Sequence, residues 1–127
     1  MVLPGIQALF GFQLIAAFNQ RFSELSHSHQ CLHLAATTLV ALCAAIIMTP
    51  AAYHRCVDPE VISERFLKVC TRLILVSMLL LAIGVSADLY IIAIMIVDNP
   101  VVCIALGAAV FVAMLLLWFA FPLWERK

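Results

Sequence analysis

Charged side chains are scarce in this sequence. Lys, Arg, Asp and Glu together make up 11% of the 127 residues, and seven basic residues balance seven acidic ones. Soluble domains carry about a quarter charged residues, so an ordinary soluble domain is excluded. The sequence also has no basic stripe for nucleic acid and no polybasic run for an anionic lipid surface. We therefore expect no nucleic-acid partner.

Patterns that carry chemistry are missing as well. The sequence has no phosphate-binding glycine loop, no paired carboxylates and no combination of nucleophile and base at one predicted depth. Its five cysteines form no C-x-x-C pair, which favours a packing role, with a Cys31–Cys103 disulfide as the alternative. These absences predict a protein that is not an enzyme.

Apolar residues are what the sequence does contain, and they make up 66% of the chain. They concentrate in four segments, at residues 2–18, 32–53, 73–97 and 101–123. A span needs about 20 apolar residues, and in lipid each backbone donor must be satisfied within its own helix. The sequence thus predicts an all-α fold, a four-helix transmembrane bundle that forms one integral membrane domain over residues 1–127. The first segment lacks a charged leader, so we interpret it as a retained span rather than a signal peptide.

Basic residues predict the orientation of the bundle. Six of them lie on the side that carries the central polar segment and the C-terminus: Arg55, Arg65, Lys68, Arg72, Arg126 and Lys127. Only Arg21 lies on the other side, so the positive-inside rule places both termini in the cytoplasm (N-in, C-in). Two tryptophans and two arginines are predicted to anchor the helices at the membrane interface: Trp118, Trp124, Arg55 and Arg72.

The central polar segment predicts a long third helix. Asp58 followed by Pro59 is typical of a helix start, and a helix from there to Val97 would be about 60 Å long. That is twice the hydrocarbon thickness, so the helix would extend into the cytoplasm. Asn99 precedes a proline and should end the helix, and Pro50 should kink or terminate the second span.

Asp88 is the only acidic residue predicted to lie within a span, about 4.5 Å from the midplane if that span is centred on Val85. A carboxyl at this depth costs about 3 kcal/mol, so a compensating contact is expected. Candidate partners at similar depth on the first two spans complete a predicted intramembrane polar cluster: Gln13, His33, Thr37 and Thr38. An apolar environment disfavours the charged form, so we expect Asp88 to be buried, protonated and hydrogen-bonded.

Three roles for Asp88 stay open from the sequence. It fits a structural hydrogen-bonded acid, a carboxylate that couples to protons or cations, or a contact with a partner subunit. Ion-coupling sites usually have a second ionisable partner or a broken helix, and the sequence alone indicates neither. Small residues on the spans predict close helix packing: Gly11, Gly84, Gly107 and Ser77.

The segment "HSHQCLH" contains residue types that bind zinc or copper. In an extended conformation four of its side chains would share one face: His27, His29, Cys31 and His33. The sequence favours the alternative, a polar extracytoplasmic turn, because it has no matching ligand set elsewhere outside the membrane. Haem bound by this chain alone is disfavoured, because His33 and His54 lie at opposite ends of one span. No cofactor is predicted, and bound lipid stays open.

Two functions from different classes follow. The first is a non-catalytic accessory or structural subunit that packs through its small-residue faces against itself or a larger membrane complex. The alternative is a small oligomeric transporter of protons, ions or small molecules that uses Asp88.

Several segments are familiar together and in this order: "VLPGIQALFGFQL", "FNQRFSEL", "TPAAYHR", "ERFLKVCTRL" and "LWFAFPL". They resemble an uncharacterised family of small bacterial four-span membrane proteins, a domain of unknown function. The resemblance covers nearly the whole chain, although the histidine-rich segment is not part of it. It implies four helices and a location in the bacterial cytoplasmic (inner) membrane. It implies no activity, so no catalytic residue can be carried over.

Overall fold

The computed structural model describes residues 2–57 and 63–125, and within them the chain is helical, with no strand. The helices are α1 (Val2–Ala16), α2 (Gln20–Ser23), α3 (His27–Val57), α4 (Glu64–Ile96) and α5 (Pro100–Leu115), followed by a π-helical turn (Leu116–Ala120) and α6 (Phe121–Glu125). The predicted all-α class is confirmed.

Three stretches are long and apolar enough to cross a membrane: His27–Cys56, Glu64–Ile96 and Pro100–Ala120. They correspond to the second, third and fourth predicted spans. The helix at the first predicted span, α1, has 15 residues and is shorter than the roughly 20 that a span needs. Large apolar side chains cover the outer surface of the long helices, as a lipid-facing surface requires. The structure is therefore compatible with a membrane protein.

The helices α3 and α4 pack against each other in opposite directions. Near the start of α3, His33 contacts Asp88 of α4, and ten residues later the thiol of Cys43 donates a hydrogen bond to the carbonyl of Ser77, at 3.1 Å. The contacts between α1 and α3 show that these two helices also run in opposite directions. Ile6 of α1 packs in a core cluster with Val40 and Cys43, whereas Gln13, further along α1, lies beside His33. α1 is thus antiparallel to α3.

Two glycines allow the helices to approach closely. A Cβ atom at Gly84 would lie 3.1 Å from a side-chain methyl of Val40 and 3.3 Å from the carbonyl oxygen of Ala36. At Gly107 of α5 a Cβ would lie 3.2 Å from the carbonyl oxygen of Ser86. Both contacts are tighter than an ordinary van der Waals contact, so a side chain at either position would push neighbouring helices apart. Ser77 is also fully buried between α3 and α4.

Gly11 does not pack in this way. In the part of the chain that the structure describes, a Cβ atom at Gly11 or at Gly5 would have no neighbour from another helix within 4 Å. Gly11 therefore contacts no other helix among the described residues, and its role in helix packing stays a prediction. α1 turns the face with Gln13 towards α3 and α4, and Gly11 lies on another face of the helix.

The boundaries of α3 differ from those predicted for the second span. The helix begins at His27, because the carbonyl of Ser26 accepts hydrogen bonds from the backbone N–H groups of His29 and Gln30. The interpretation of the histidine-rich segment as a turn is therefore wrong. At the other end the helix continues through Pro50 to Val57, so Pro50 does not terminate it.

The third predicted helix begins later than expected. Ser63 has an extended backbone and its hydroxyl accepts a hydrogen bond from the N–H of Phe66, which makes it the N-cap of α4. A continuous helix from Asp58 is therefore wrong, and Asp58 and Pro59 themselves lie outside the described residues. At its other end α4 stops at Ile96, and Asn99 caps α5 with Pro100 at the first helical position. This break is the one that the proline predicted.

Candidate functional site

Three polar side chains are buried where α1, α3 and α4 meet. Gln13 comes from α1, His33 from α3 and Asp88 from α4, and their exposed fractions are 4%, 6% and 7%. We call these three residues the polar cluster. The packing of the helices positions them: the approach at Gly84, one turn before Asp88, brings α4 close enough to α3 for the carboxyl group to reach His33.

Hydrogen bonds connect all three members of the polar cluster. The Nδ1 atom of His33 lies 2.9 Å from Oδ1 of Asp88, and its Nε2 atom lies 3.0 Å from the backbone carbonyl oxygen of Gln13. The side-chain amide of Gln13 donates to Oδ2 of Asp88. Both ring nitrogens of the histidine and both oxygens of the carboxyl therefore have a partner. One contact network holds three helices together.

The identity of these partners determines where protons can lie. A backbone carbonyl can only accept, so Nε2 of His33 carries a hydrogen and donates it. The distance between Nδ1 and Oδ1 of Asp88 then requires one further hydrogen between them. It can sit on Oδ1, giving a neutral pair, or on Nδ1, giving an ion pair. The net charge of the pair is zero in both arrangements, which is the condition for stable burial in an apolar environment.

The amide of Gln13 leaves one polar atom without a partner. Its Oε1 atom is buried and has no hydrogen-bond partner among the described residues. Rotation of the amide by half a turn would present Oε1, rather than the NH₂ group, to Oδ2 of Asp88. A proton on Oδ2 could then be donated to Oε1. The polar cluster therefore has a position for a second proton that requires a side-chain rotation and no movement of a helix.

The two threonines predicted beside Asp88 behave differently. Thr37 is buried next to the polar cluster, and its hydroxyl donates to the backbone carbonyl of His33 at 2.9 Å. Thr38 is exposed, and its hydroxyl donates to the carbonyl of Leu34. The structure thus brings Gln13, His33 and Asp88 together, places Thr37 behind His33, and leaves Thr38 outside.

His33 changes the assessment of Asp88. Because no other acidic residue lies within a predicted span, Asp88 was expected to have no second ionisable partner. This expectation is wrong, since His33 lies in direct contact with Asp88. The signal was present in the sequence, because both residues were expected at a similar depth. The sequence could not show that they face each other, because that depends on the rotation of α3 about its axis.

The packing also bears on the depth of the polar cluster. Cys43, the centre of the second predicted span, contacts Ser77 and not Val85, the centre of the third. The common middle of α3 and α4 therefore lies between those two levels, near Leu81. If these helices cross a membrane, Asp88 is about 10 Å from the midplane, at 1.5 Å per residue, and closer to one surface than the sequence alone indicated.

A short connection covers the polar cluster on that side. Phe22 lies in α2, and its ring packs edge-on against the ring of His33, with 5.1 Å between centroids. Gln30 of α3 holds the connection in place by donating to the carbonyls of Phe22 and Leu25, both at 3.2 Å. Phe22 was not predicted from the sequence, although Asn19, a favoured N-cap residue, could have indicated a short helix here.

A polar cavity of about 650 Å³ lies beside this connection. Arg21 and Glu24 line it from the connection, His29 from α3 and Asp98 from the segment between α4 and α5. The guanidinium of Arg21 also donates to the carbonyl of Met95, at 3.1 Å, which ties the connection to α4. His29 precedes His33 by one helical turn, so the cavity and the polar cluster lie on neighbouring levels of the same end of the bundle.

The four residues of the predicted metal site do not come together. In a helix, residues two apart point about 200° apart, so they do not share one face. Nδ1 of His27 lies 3.5 Å from the thiol of Cys31, His29 contacts the hydroxyl of Ser26, and His33 belongs to the polar cluster. Within the described residues, no three histidine, cysteine or acidic side chains could hold a metal ion together. A metal site built from these four residues is therefore not formed.

The remaining predicted residues lie at the surface or in the core. Arg55, Arg72 and Trp124 are exposed, and Trp118 is half-buried in the π-helical turn. Cys103 is buried and Cys31 is exposed, and neither forms a disulfide, so the Cys31–Cys103 alternative is wrong.

Comparison with known proteins connects the chain to one family. No curated protein and no solved structure gave a significant match. A family model described as a family of unknown function (DUF6328) matches residues 1–122, which is nearly the whole chain. The chain therefore belongs to this family of unknown function.

Proposed function

We propose that this protein is a small membrane transporter in which the polar cluster binds and releases a proton. The observation that carries the proposal is the contact of 2.9 Å between Nδ1 of His33 and Oδ1 of Asp88, buried between three helices. Ionisable pairs at such depth are rare, and they mark proton relays in pumps and transporters. A structural hydrogen bond alone would not need two ionisable groups.

The chemistry of proton uptake follows from the hydrogen bonds. In the resting pair one proton lies between His33 and Asp88. A second proton binds to Oδ2 of Asp88 and is donated to Oε1 of Gln13, after the amide of Gln13 has rotated. His33 is then an imidazolium that donates from Nδ1 to Oδ1, and the cluster has a charge of +1. Release of either proton returns the cluster to neutrality.

The proton enters from the polar cavity at the same end of the bundle. Arg21, Glu24, His29 and Asp98 make this cavity polar, and it is large enough to hold several water molecules. The ring of Phe22 packs against His33 next to this cavity. Small movements of the short α2 connection would expose His33 to water there.

The proposed location is the bacterial cytoplasmic membrane, with four spans and both termini inside. The antiparallel packing of α1 against α3 supports the inclusion of α1 as a span, since α1 lies alongside α3 from Ile6 to Gln13. At about 1.5 Å per residue, α1 reaches across most of the hydrocarbon thickness. The six basic residues near one surface support the orientation. A bundle of only four helices leaves little room for a sealed pathway, so the transporter would be a homo-oligomer.

Proton flux into liposomes tests this proposal. We expect liposomes that contain the wild-type protein and an internal pH-sensitive dye to dissipate a pH gradient faster than empty liposomes. Asp88→Asn should reduce this rate to that of empty liposomes, because an asparagine keeps the shape of the cluster and cannot exchange a proton. Thr38→Val is the matched control, because Thr38 lies little more than one turn beyond His33 on α3 and its exposed side chain is outside the cluster. A wild-type rate for Asp88→Asn would exclude the cluster as a proton pathway.

A second function is favoured by the open face of α1. Among the described residues, no heavy atom of another helix lies within 4 Å of a Cβ position at Gly5 or Gly11, although small residues on a membrane helix usually permit close helix contact. This fits an accessory or structural subunit that packs through α1 against another membrane protein.

Co-purification tests the second function. If α1 is an assembly face, Gly11→Leu should abolish a stoichiometric complex that the wild-type protein retains in mild detergent, because the added side chain prevents close approach of a partner helix. Gly11→Ala adds a single methyl group and is the graded control. If the wild-type protein purifies alone, the subunit function is contradicted.

A further inference from the structure

A second cavity lies at the opposite end of the bundle from the polar cluster. It has a volume of about 300 Å³ and is formed by the last third of α3 and the first turns of α4. Its lining includes Tyr53 and His54 of α3 and Arg65, Phe66, Val69 and Leu73 of α4. The proposed proton site uses none of them.

The wall of this cavity is largely apolar and aromatic. The rings of Tyr53 and Phe66 are stacked, with centroids 5.7 Å apart and planes at 19°. Val69 and Leu73 continue the apolar wall along α4 towards the middle of the bundle. Since Val69 is 48% exposed, the wall is accessible from the side of the bundle and not only from its end. An acyl chain lying along the bundle could contact this wall.

The outer end of the cavity is basic. Arg65 lines it, together with the imidazole of His54 and the hydroxyls of Ser63 and Tyr53, and no acidic residue is part of the described lining. His54 also packs against the ring of Phe66, with centroids 5.8 Å apart. A guanidinium and several hydroxyl donors at the end of an apolar wall match a phosphate group attached to acyl chains.

The depth of the cavity fits the same ligand. Counting from the common middle of α3 and α4 near Leu81, Leu73 lies about 12 Å and Arg65 about 24 Å from the midplane. The hydrocarbon ends at about 15 Å and the headgroup region at about 20 to 22 Å. Leu73 therefore lies in the hydrocarbon and Val69, at about 18 Å, lies in the headgroup region. The backbone of Arg65 lies just outside that region, and its long side chain can reach back to a phosphate.

We propose that this cavity binds one anionic phospholipid, with its phosphate at Arg65, its glycerol region beside Phe66 and Val69, and an acyl chain that contacts Leu73. Basic recesses between membrane helices commonly bind anionic lipid headgroups. The sequence alone indicated no such site, because the basic residues of this region are dispersed. Folding places Arg65 on α4 opposite Tyr53 and His54 of α3, and this juxtaposition forms the site.

Native mass spectrometry with defined lipids tests the proposal. We expect the wild-type protein to retain one phosphatidylglycerol molecule at detergent and energy settings that remove phosphatidylcholine. Arg65→Gln should lower the retained fraction by roughly tenfold, the ratio that corresponds to the loss of about 1.4 kcal/mol. Lys68→Gln is the matched control, because it removes the same charge one turn further along α4 from a residue that does not line the cavity. It should retain the lipid as the wild type does.

Each alternative outcome has a defined meaning. Equal losses in Arg65→Gln and Lys68→Gln would show general attraction of anionic lipid to a basic surface and would overturn the proposal. If the wild-type protein retained inorganic phosphate under the same settings and bound no lipid, the ligand would be a soluble anion, and this result would also overturn the proposal. Asp88→Asn should bind lipid normally, so failure of the proton site and failure of the lipid site can be distinguished.

Discussion

Replacing Asp88 with alanine should destabilise the bundle, whereas replacing it with asparagine should leave the stability nearly unchanged. Alanine removes both carboxyl oxygens from the polar cluster, so Nδ1 of His33 and the amide of Gln13 lose their buried partners. Interhelical hydrogen bonds in membranes contribute about 0.6 kcal/mol on average and up to about 1.7 kcal/mol. Two such losses, with polar atoms left unsatisfied, predict a decrease of about 1 to 3 kcal/mol in the free energy of unfolding.

Asparagine can reproduce the contacts of the neutral pair. Its NH₂ group donates to Nδ1 of His33, while Nε2 of the histidine still donates to the carbonyl of Gln13. Its Oδ1 atom accepts from the amide of Gln13, as Oδ2 of Asp88 does. We therefore expect the free energy of unfolding to change by less than about 0.5 kcal/mol, as for substitutions that break no specific contact.

Reversible unfolding in mixed micelles measures both variants. The free energy of unfolding should be compared at one detergent composition and one protein concentration, with Thr38→Val as the control outside the cluster. Equal values for alanine and asparagine would contradict a structural contribution of the hydrogen bonds. If asparagine keeps the stability and loses proton flux, the same residue has both roles, which the sequence left as alternatives.

Replacing Gly84 with leucine should separate α3 from α4. A Cβ atom at this position already lies 3.3 Å from the carbonyl oxygen of Ala36, which is backbone and cannot move without moving α3. Overpacking of this kind typically costs about 1 to 3 kcal/mol. Since Gly84 precedes Asp88 by one turn, the separation should also lengthen the contact between Asp88 and His33. We therefore expect both lower stability and loss of proton flux.

Gly11→Leu is the matched comparison for Gly84→Leu. The same substitution on α1 meets no heavy atom within 4 Å at the Cβ position, so the stability of the isolated chain should not fall. Thermal unfolding in detergent, measured for both variants in parallel, should show a lower midpoint for Gly84→Leu alone. A similar decrease for Gly11→Leu would mean that the face of α1 that carries Gly11 is in contact with another helix in solution.

Much of the helical architecture could be predicted from the sequence. Long apolar segments with few charges can satisfy their backbone only as helices, and Asn99 before Pro100 has to interrupt the chain. Packing at Ser77 and Gly84 and burial of Asp88 were also predicted, and all three residues of α4 are buried. These features depend on local backbone chemistry and on helical periodicity, and both are properties of the sequence itself.

Features that depend on alternatives of similar energy were not readable. Asp58 and Ser63 are both good N-cap residues, and α4 begins after Ser63. The histidine-rich segment was compatible with a turn, yet the hydrogen bonds of Ser26 start α3 there. In each case nearby contacts select one of two acceptable local structures, and those contacts lie outside the segment itself.

The sequence by itself determined the all-helical class, the apolar surface of the long helices and the presence of one acid among apolar residues. Only the tertiary structure decided what that acid contacts. The rotation of α3 turns His33 and Thr37 towards α4 and Thr38 away from it, and the orientation of α1 places Gln13 on the remaining oxygen of Asp88. Helical periodicity defines which residues share a face, but the packing of one helix on another selects the face that is buried. The partner of Asp88 is therefore a property of the assembled bundle.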